Sequence, residues 1–251
     1  MDTPRSCFLS AFEHFCNDWC SSRNYVKLIV CGSATSWICD EMLDNRGGLY
    51  DRVTSSIYVK PFTLHECEMF FEEEGFHLDK YDIVQAYMAF GGIPYYLSQF
   101  REDLSVVQNI DALLFNKDSL LYDEFDKLFS SQFANPDALK AIMTAIGMKR
   151  TGLTREEIVD QLKLSAGGTF STALKALEKS RLILSYKPFG EKKTKFRISD
   201  PFCSFYLHYA KQNRDKENFW QMNYHSPAMY SWLGLAFEET VFGHIEQVKY
   251  A

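Results

Sequence analysis

The chain has 251 residues, of which 46% are hydrophobic and 24% charged, and its formal net charge is −6. These proportions are close to those of globular proteins and exclude collagen-like, low-complexity and wholly disordered chains. No apolar run reaches the roughly 18 residues of a membrane-spanning helix, and the first residues show no hydrophobic stretch behind a basic start. The seven cysteines include no C-x-x-C pair, which is typical of reduced thiols. We therefore expect a cytoplasmic protein without a metal site and without a membrane partner.

Charge is distributed unevenly along the chain. Between Pro136 and Asp200 there are 13 basic and 7 acidic residues, which gives this segment +6 and leaves −12 for the remainder. A basic segment in an acidic chain indicates a second module with its own partner. A solvated helical surface would give the same count, so charge alone favours a binding function only slightly.

The first 62 residues combine two predicted helices, the second a short one over residues 36–43, with two strand-like runs. Aromatic residues recur at helical spacing over residues 8–19, which predicts a helix that buries an aromatic stripe. Residues 27–31 have the pattern of a strand buried on both faces, and residues 56–60 of a second strand. Two strands do not form a stable sheet, and a strand buried on both faces needs a neighbour at each edge. We therefore expect part of a larger α/β domain, with Phe8, Phe12 and residues 27–31 partly uncovered.

From residue 63 to residue 133 the pattern predicts helices alone. Residues 63–66, Thr-Leu-His-Glu, have the spacing of a capping box, in which threonine and glutamate satisfy each other's backbone N–H groups. A further helix over residues 81–90 ends at the Gly-Gly-Ile-Pro sequence of residues 91–94. Residues 104–133 are predicted to be helical and acidic, and to connect two bodies.

Residues 134–200 have the element order of a winged helix-turn-helix, three short helices followed by a hairpin of two alternating strands. This segment coincides with the basic region, which favours nucleic-acid binding. The predicted helices span residues 138–146, 154–162 and 169–179, and the predicted strands span residues 182–186 and 194–198.

After Pro201 the chain is rich in aromatic residues as far as Trp232, and residues 234–250 are predicted to form one amphipathic helix. The aromatic residues also allow a simpler interpretation. In that interpretation the protein is an interaction scaffold, whose aromatic surface between Tyr206 and Trp232 binds a further domain.

Motifs of known free-standing enzymes are absent from the sequence. It contains no G-x-x-x-x-G-K-[ST] loop, no G-x-S-x-G and no H-E-x-x-H. Ser33 follows the first strand-like run, where a hydroxyl could contact a phosphate or its attacking water, or could simply cap the next helix. Arg52 follows a glycine turn, where a guanidinium suits a γ-phosphate, or could be an ordinary surface arginine.

Four motifs, in this order, resemble the archaeal-type P-loop ATPases of the AAA+/STAND group. They are Cys31-Gly32-Ser33, Gly48-Leu49-Tyr50-x-Arg52, Pro61-Phe62-x-Leu64-x-x-Cys67 and Phe90-Gly91-Gly92-Ile93-Pro94-Tyr95-Tyr96-Leu97. The resemblance extends along the chain. It implies a partial α/β P-loop core, then a helical lid and a winged helix-turn-helix, with a mostly α fold overall, and lastly the start of a nuclease-like domain.

The resemblance also implies roles for individual residues. Ser33 would occupy the sensor position that reports on the γ-phosphate or attacking water, and Arg52 would be the phosphate-sensing arginine. Gly92 and Pro94 would belong to the lid over the nucleotide. Glu238 would be an early acidic position of the nuclease-like domain.

The family's Walker A and Walker B elements would lie upstream of Met1, so the resemblance implies the C-terminal portion of an ATPase. ATP and Mg²⁺ would be cofactors of the full-length protein, and we expect neither to bind to this chain alone. Its partners would be the missing N-terminal ATPase half or other domains of the same protein, with oligomers as a consequence of exposed apolar surface. The implied domains are residues 1–62 (core), 63–133 (lid and linker), 134–200 (winged helix) and 201–251 (aromatic segment and nuclease-like start).

Two function classes therefore remain, a nucleotide-dependent switch and a nucleic-acid-binding module. For the second, the helix over residues 169–179 would be the recognition helix. DNA binding should then weaken steeply with salt. The candidate phosphate contacts are Lys175, Lys179 and Arg181 near this helix, and Lys192, Lys193 and Lys195 on the wing.

Overall fold

A computed structural model describes residues 6–32, 49, 52–133 and 135–250. The chain divides into two compact units, Met1–Val59 with Ser131–Phe133, and Lys60–Ser130 with Ala134–Ala251. The described residues are mostly helical and contain a single three-stranded sheet, which confirms the predicted mostly α fold. Among the described helices, none combines the length and apolar character needed to span a bilayer.

The first unit contains helix α1 (Phe8–His14), which continues as a π-helical turn over Phe15–Cys20. Its aromatic residues lie along one face, and the Phe15 and Trp19 rings stack with centroids 5.2 Å apart. The prediction that this stripe is buried was wrong, because Trp19 is 43% exposed and α1 buries no residue. The expectation that Phe8 is partly uncovered was confirmed.

Neither predicted strand of the first 62 residues forms in the described part of the chain. Residues 27–31 and 56–60 have no strand pairing, and Ile29 and Ile57 are 87% and 85% exposed. The apolar pattern is present, but a strand exists only when a second strand accepts and donates its backbone hydrogen bonds. The predicted helix after Ser33 lies outside the described residues.

The second unit begins with helices, and the capping box at the start of the first one is confirmed. The Thr63 hydroxyl accepts a hydrogen bond from the Glu66 backbone N–H at 3.3 Å, and the Glu66 carboxylate accepts one from the Thr63 N–H at 2.7 Å. The helices are α2 (Leu64–Glu73), α3 (Lys80–Phe90), α4 (Pro94–Leu97), α5 (Val106–Leu114) and α6 (Glu124–Gln132).

Residues 136–198, here called the helix–sheet module, contain the three predicted helices and the predicted hairpin. The sheet is antiparallel with strand order β1-β3-β2, and its first strand is only two residues long. The third helix begins one residue earlier than predicted, at Gly168, and Gly167 is its N-cap. The elements are α7 (Pro136–Gly147), β1 (Leu153–Thr154), α8 (Arg155–Leu162), α9 (Gly168–Lys179), β2 (Ile183–Tyr186) and β3 (Lys195–Ile198).

The final segment is helical, but the helix predicted over residues 234–250 begins earlier and is interrupted. The Ser226 hydroxyl accepts a hydrogen bond from the Met229 N–H, and Pro227 occupies the first turn. The helix then ends at His244, its C-cap residue. The elements are α10 (Pro201–Phe205), a π-helical turn (Tyr206–Ala210), α11 (Phe219–Asn223), α12 (Pro227–Gly243) and α13 (Ile245–Lys249).

An aromatic core holds this final segment against the earlier helices. The Trp220 ring lies edge-on to those of Phe205 and Trp232, with centroids 4.8 and 5.7 Å away. All three side chains are buried, as is Tyr206, so these four residues belong to the core and not to an aromatic surface. The buried Asp111 of α5 accepts hydrogen bonds from the backbone N–H groups of Trp220 and Gln221, each at 2.8 Å.

Candidate functional site

The Gly-Gly turn, residues 91–94, follows directly from the end of α3. Gly91 has φ 65° and ψ −168°, a conformation that residues with a Cβ rarely adopt, and its N–H donates to the Tyr87 carbonyl at 2.7 Å. A Cβ at Gly91 would lie 3.4 Å from the Pro201 ring at the start of α10. The turn therefore ends α3 and contacts the final segment at the same point.

Gly92 lies against the backbone of Phe62, the residue just before the capping box of α2. The Phe62 N–H donates to the Gly92 carbonyl at 2.6 Å, and an ideal Cβ at Gly92 would lie 1.9 Å from the Phe62 oxygen. A substituent at this position would overlap backbone atoms. Close packing alone thus requires glycine here.

Pro94 is the first residue of α4, where its fixed φ favours helix initiation. Two residues later, the Tyr96 hydroxyl donates to the Glu124 carboxylate at 3.0 Å, and the Tyr96 ring packs 4.9 Å from that of Phe202. Burial and the neighbouring Glu124 raise the pKa of Tyr96, so its hydroxyl stays protonated and donates. The far side of the turn is therefore fixed to both α6 and α10.

A cleft of about 610 Å³ opens beside the Gly-Gly turn. Its walls come from the turn, the end of α7, one face of the sheet, the start of α10 and helix α12. A volume of this size lies in the range of ligand pockets. The apolar wall residues include Tyr87, Met88, Ile146, Ile183, Ile198 and Trp232.

Charged groups also line this cleft. The Arg197 guanidinium donates to the Glu239 carboxylate of α12 and lies 5.3 Å from the centroid of the Tyr186 ring. Burial lowers the pKa of Arg150, and the charge of Glu239 opposes this shift. Burial raises the pKa of Glu239, and the charges of Arg197 and then Arg150 oppose that shift. The ion pair joins the sheet to α12 across the cleft.

His244 makes a second link across this part of the structure. Its Nδ1 lies 2.8 Å from the Thr240 carbonyl, so this nitrogen donates. Its Nε2 lies 3.0 Å from the Leu64 backbone N–H and therefore accepts. The ring is neutral in this arrangement, since the protonated imidazole has no acceptor nitrogen. The C-terminal end of α12 is thereby bonded to the first residue of α2.

The predicted nucleotide-sensing residues are placed only in part. Ser33 lies outside the described residues. Arg52 is exposed in the first unit, with its backbone N–H bonded to the Leu49 carbonyl at 3.1 Å. Gly92 and Pro94 come together in the second unit. In the described part of the chain the backbone at Gly92 is covered by Phe62.

The predicted nucleic-acid contacts lie on the helix–sheet module. Lys175 and Lys179 are exposed on α9, whose buried face consists of Phe170, Leu174 and Leu177, and Arg181 is exposed just after the helix. On the hairpin, Lys192 is exposed. Lys193 pairs with Glu156 at 3.4 Å and Lys195 with Glu191 at 2.9 Å.

Sequence reasoning missed the residues that close the cleft. Arg150, Arg197 and Glu239 meet although up to 89 positions separate them in the sequence. His244 and Leu64 are 180 positions apart. No motif links such residues, and only their contact in the folded chain reveals them.

The chain is similar in fold to a Walker-type ATPase. A solved structure, the Walker-type ATPase PABY2304 of Pyrococcus abyssi, superposes with a TM-score of 0.50 and 20% sequence identity, over 80% of this chain and 57% of that one. The sequence is also 29% identical over 191 residues to the uncharacterized protein MJECL04 of Methanocaldococcus jannaschii. That match covers 74% of this chain and 42% of the relative. No protein-family model matches the chain.

The chain thus spans less than half of the curated relative and little more than half of the solved ATPase. At this level of identity the structural likeness shows the fold alone.

Proposed function

We propose that this chain is the lid and winged-helix portion of a P-loop ATPase of the AAA+/STAND type, and that it acts as a nucleotide-dependent switch. The ATPase-like fold and the four sequence motifs support this proposal. Mg-ATP would be held by P-loop elements that this sequence does not contain. Ser33 and Arg52 would report the state of the phosphates, and the Gly-Gly turn would carry the response onward.

The observation that supports this role is the double contact of the Gly-Gly turn. On one side the Gly92 carbonyl accepts a hydrogen bond from the Phe62 N–H, and on the other side Gly91 lies against Pro201. Atoms packed this closely cannot be displaced independently. A tilt of the turn would therefore move both the entry to α2 and the start of α10, which leads into the aromatic core.

The test compares Gly92→Ala with Gly234→Ala in the polypeptide that carries a P-loop upstream in the same reading frame. A Cβ at Gly92 overlaps the Phe62 carbonyl, whereas a Cβ at Gly234, inside α12, meets nothing within 4 Å. We expect exchange of ADP for a non-hydrolysable ATP analogue to change amide hydrogen exchange over residues 201–210. Gly234→Ala should keep this change and Gly92→Ala should abolish it.

Three results would contradict the proposal. The upstream reading frame could lack a P-loop, or nucleotide exchange could leave hydrogen exchange over residues 201–210 of the unsubstituted protein unchanged. The third is a Gly92→Ala variant that keeps the full nucleotide-dependent change in hydrogen exchange. For this chain alone, isothermal titration calorimetry should show no binding of Mg-ATP.

A second candidate function is nucleic-acid binding by the helix–sheet module as a winged helix. The exposed face of α9 supports it, because its side chains are polar or basic at helical spacing, with Thr169, Thr172, Lys175 and Lys179. Such a face suits the major groove and its phosphates. Lys175→Gln and Lys192→Gln should each weaken binding to duplex DNA and reduce the slope of log affinity against log salt by about 1.

The matched control for these variants is Lys163→Gln. Lys163 is an exposed lysine of the same module, placed just after α8 and outside both α9 and the hairpin loop in sequence. Equal effects of all three substitutions would indicate a general charge effect. An affinity for DNA that does not depend on salt concentration would exclude this second candidate.

A further inference from the structure

The loop of the hairpin between β2 and β3, residues 187–194, presents an aromatic ring at its tip. The Phe189 side chain is fully exposed, whereas the other phenylalanines of the module are buried or half-buried. The Glu191 N–H donates to the Pro188 carbonyl at 3.1 Å, and Gly190 has φ 79°. These residues form a tight turn that directs position 189 away from the sheet.

The hairpin beneath this tip is braced. The Tyr186 hydroxyl donates to the Thr151 carbonyl at 2.7 Å, and the Lys193 and Lys195 ammonium groups pair with Glu156 and Glu191. The first two contacts join the hairpin to neighbouring parts of the module. A ring held on a braced hairpin loses little conformational entropy when it binds.

The charges around the tip are positive. Lys187 and Lys192 are exposed on either side of Phe189, and neither makes an ion pair within the described residues. The acidic residue nearest in sequence, Glu191, is engaged by Lys195. The tip therefore offers one apolar ring between two cations.

We propose that Phe189 is a wedge that inserts between base pairs of duplex DNA from the minor groove, with Lys187 and Lys192 on the flanking phosphates. The proposal rests on the second candidate function, in which α9 lies on the same duplex. Apolar side chains that enter a base step unstack it and kink the helix, and flanking cations offset the phosphate charge. An exposed ring with two cations beside it has the chemistry that this contact requires.

The experiment uses the whole chain and a duplex of about 20 base pairs with 2-aminopurine at internal steps, at about 50 mM salt, where phosphate contacts are strongest. Fluorescence anisotropy measures affinity and 2-aminopurine emission measures unstacking. We expect the unsubstituted chain to bind and to raise the emission. Phe189→Ala should bind about tenfold more weakly, as expected for loss of one stacking contact, without raising the emission. Phe189→Trp should restore both signals.

Tyr250→Ala is the matched control, because Tyr250 is another highly exposed aromatic residue, 87% accessible, at the far end of the chain. It should behave as the unsubstituted chain. If Phe189→Ala binds DNA in a salt-dependent way and still raises the 2-aminopurine emission fully, the wedge is overturned. DNA binding by the module would then stand. No binding of duplex DNA by the unsubstituted chain would overturn both the wedge and the second candidate function. In that case the exposed ring would be assigned to a protein partner.

Discussion

Asp111 provides a direct measure of how strongly the final segment is held to the helices before it. Asp111→Ala would remove the acceptor of two backbone N–H groups at the start of α11, those of Trp220 and Gln221. A buried donor left without a partner costs about 1–3 kcal/mol. Trp220 is fully buried, whereas Gln221 is exposed and can turn to water.

The size of the loss follows from these two environments. The Trp220 N–H contributes most of the cost. Asp111 is buried, and the loss of hydration disfavours its charged form and raises its pKa. Removing this desolvated carboxylate therefore recovers part of the lost unfolding free energy. We expect Asp111→Ala to lower the free energy of unfolding by about 2 kcal/mol. Asp111→Asn should cost less, because it keeps one acceptor oxygen.

The assay is urea unfolding followed by far-ultraviolet circular dichroism at pH 7. Asp118→Ala is the control, because Asp118 is exposed and its replacement should stay within about 0.5 kcal/mol. Equal midpoints for Asp111→Ala and Asp118→Ala, with unchanged urea dependence, would refute the assignment of Asp111 as the link between α5 and α11.

Two further predictions concern α12 and α8. His244→Ala removes the acceptor of the Leu64 N–H. Hydrogen exchange at the start of α2 should therefore accelerate, and the free energy of unfolding should fall by about 1–3 kcal/mol. The control His77→Ala, at an exposed histidine, should change neither quantity. The backbone N–H of Thr154, with further help from Lys149, lowers the pKa of Glu157 to about 2. The contribution of Glu157 to stability is therefore present above its ordinary pKa and is lost as the pH falls through about 2. Glu157→Gln should flatten the acid side of the stability curve in this window, and an unchanged curve would contradict the capping role.

The features predicted correctly from the sequence are local ones. The capping box at Thr63 involves residues three positions apart and occurs as expected, and the same pairing occurs between Thr154 and Glu157. The hairpin formed by β2 and β3 follows from two alternating runs joined by a short loop. In each case the residues that determine the structure are neighbours along the chain.

The features that failed depend on residues distant in sequence. Residues 27–31 have the composition of a strand, but a strand needs a pairing partner, and the described residues provide none for them. Strand β1 was missed because two residues are too few for a pattern. For Gly92 the sequence indicates only a break after α3. Its close contact with Phe62 is visible only in the folded chain.

The position of Trp232 has a practical consequence. This indole lines the cleft beside the Gly-Gly turn and also lies edge-on to Trp220, with ring centroids 5.7 Å apart. Indole emission responds to the polarity and motion of its surroundings, and Trp232 faces the cleft while Trp220 is sealed in the core. Trp232 is therefore an intrinsic fluorescence reporter of the cleft. A molecule that enters the cleft, or a shift of α12 against the sheet, would change the emission of the unlabelled chain.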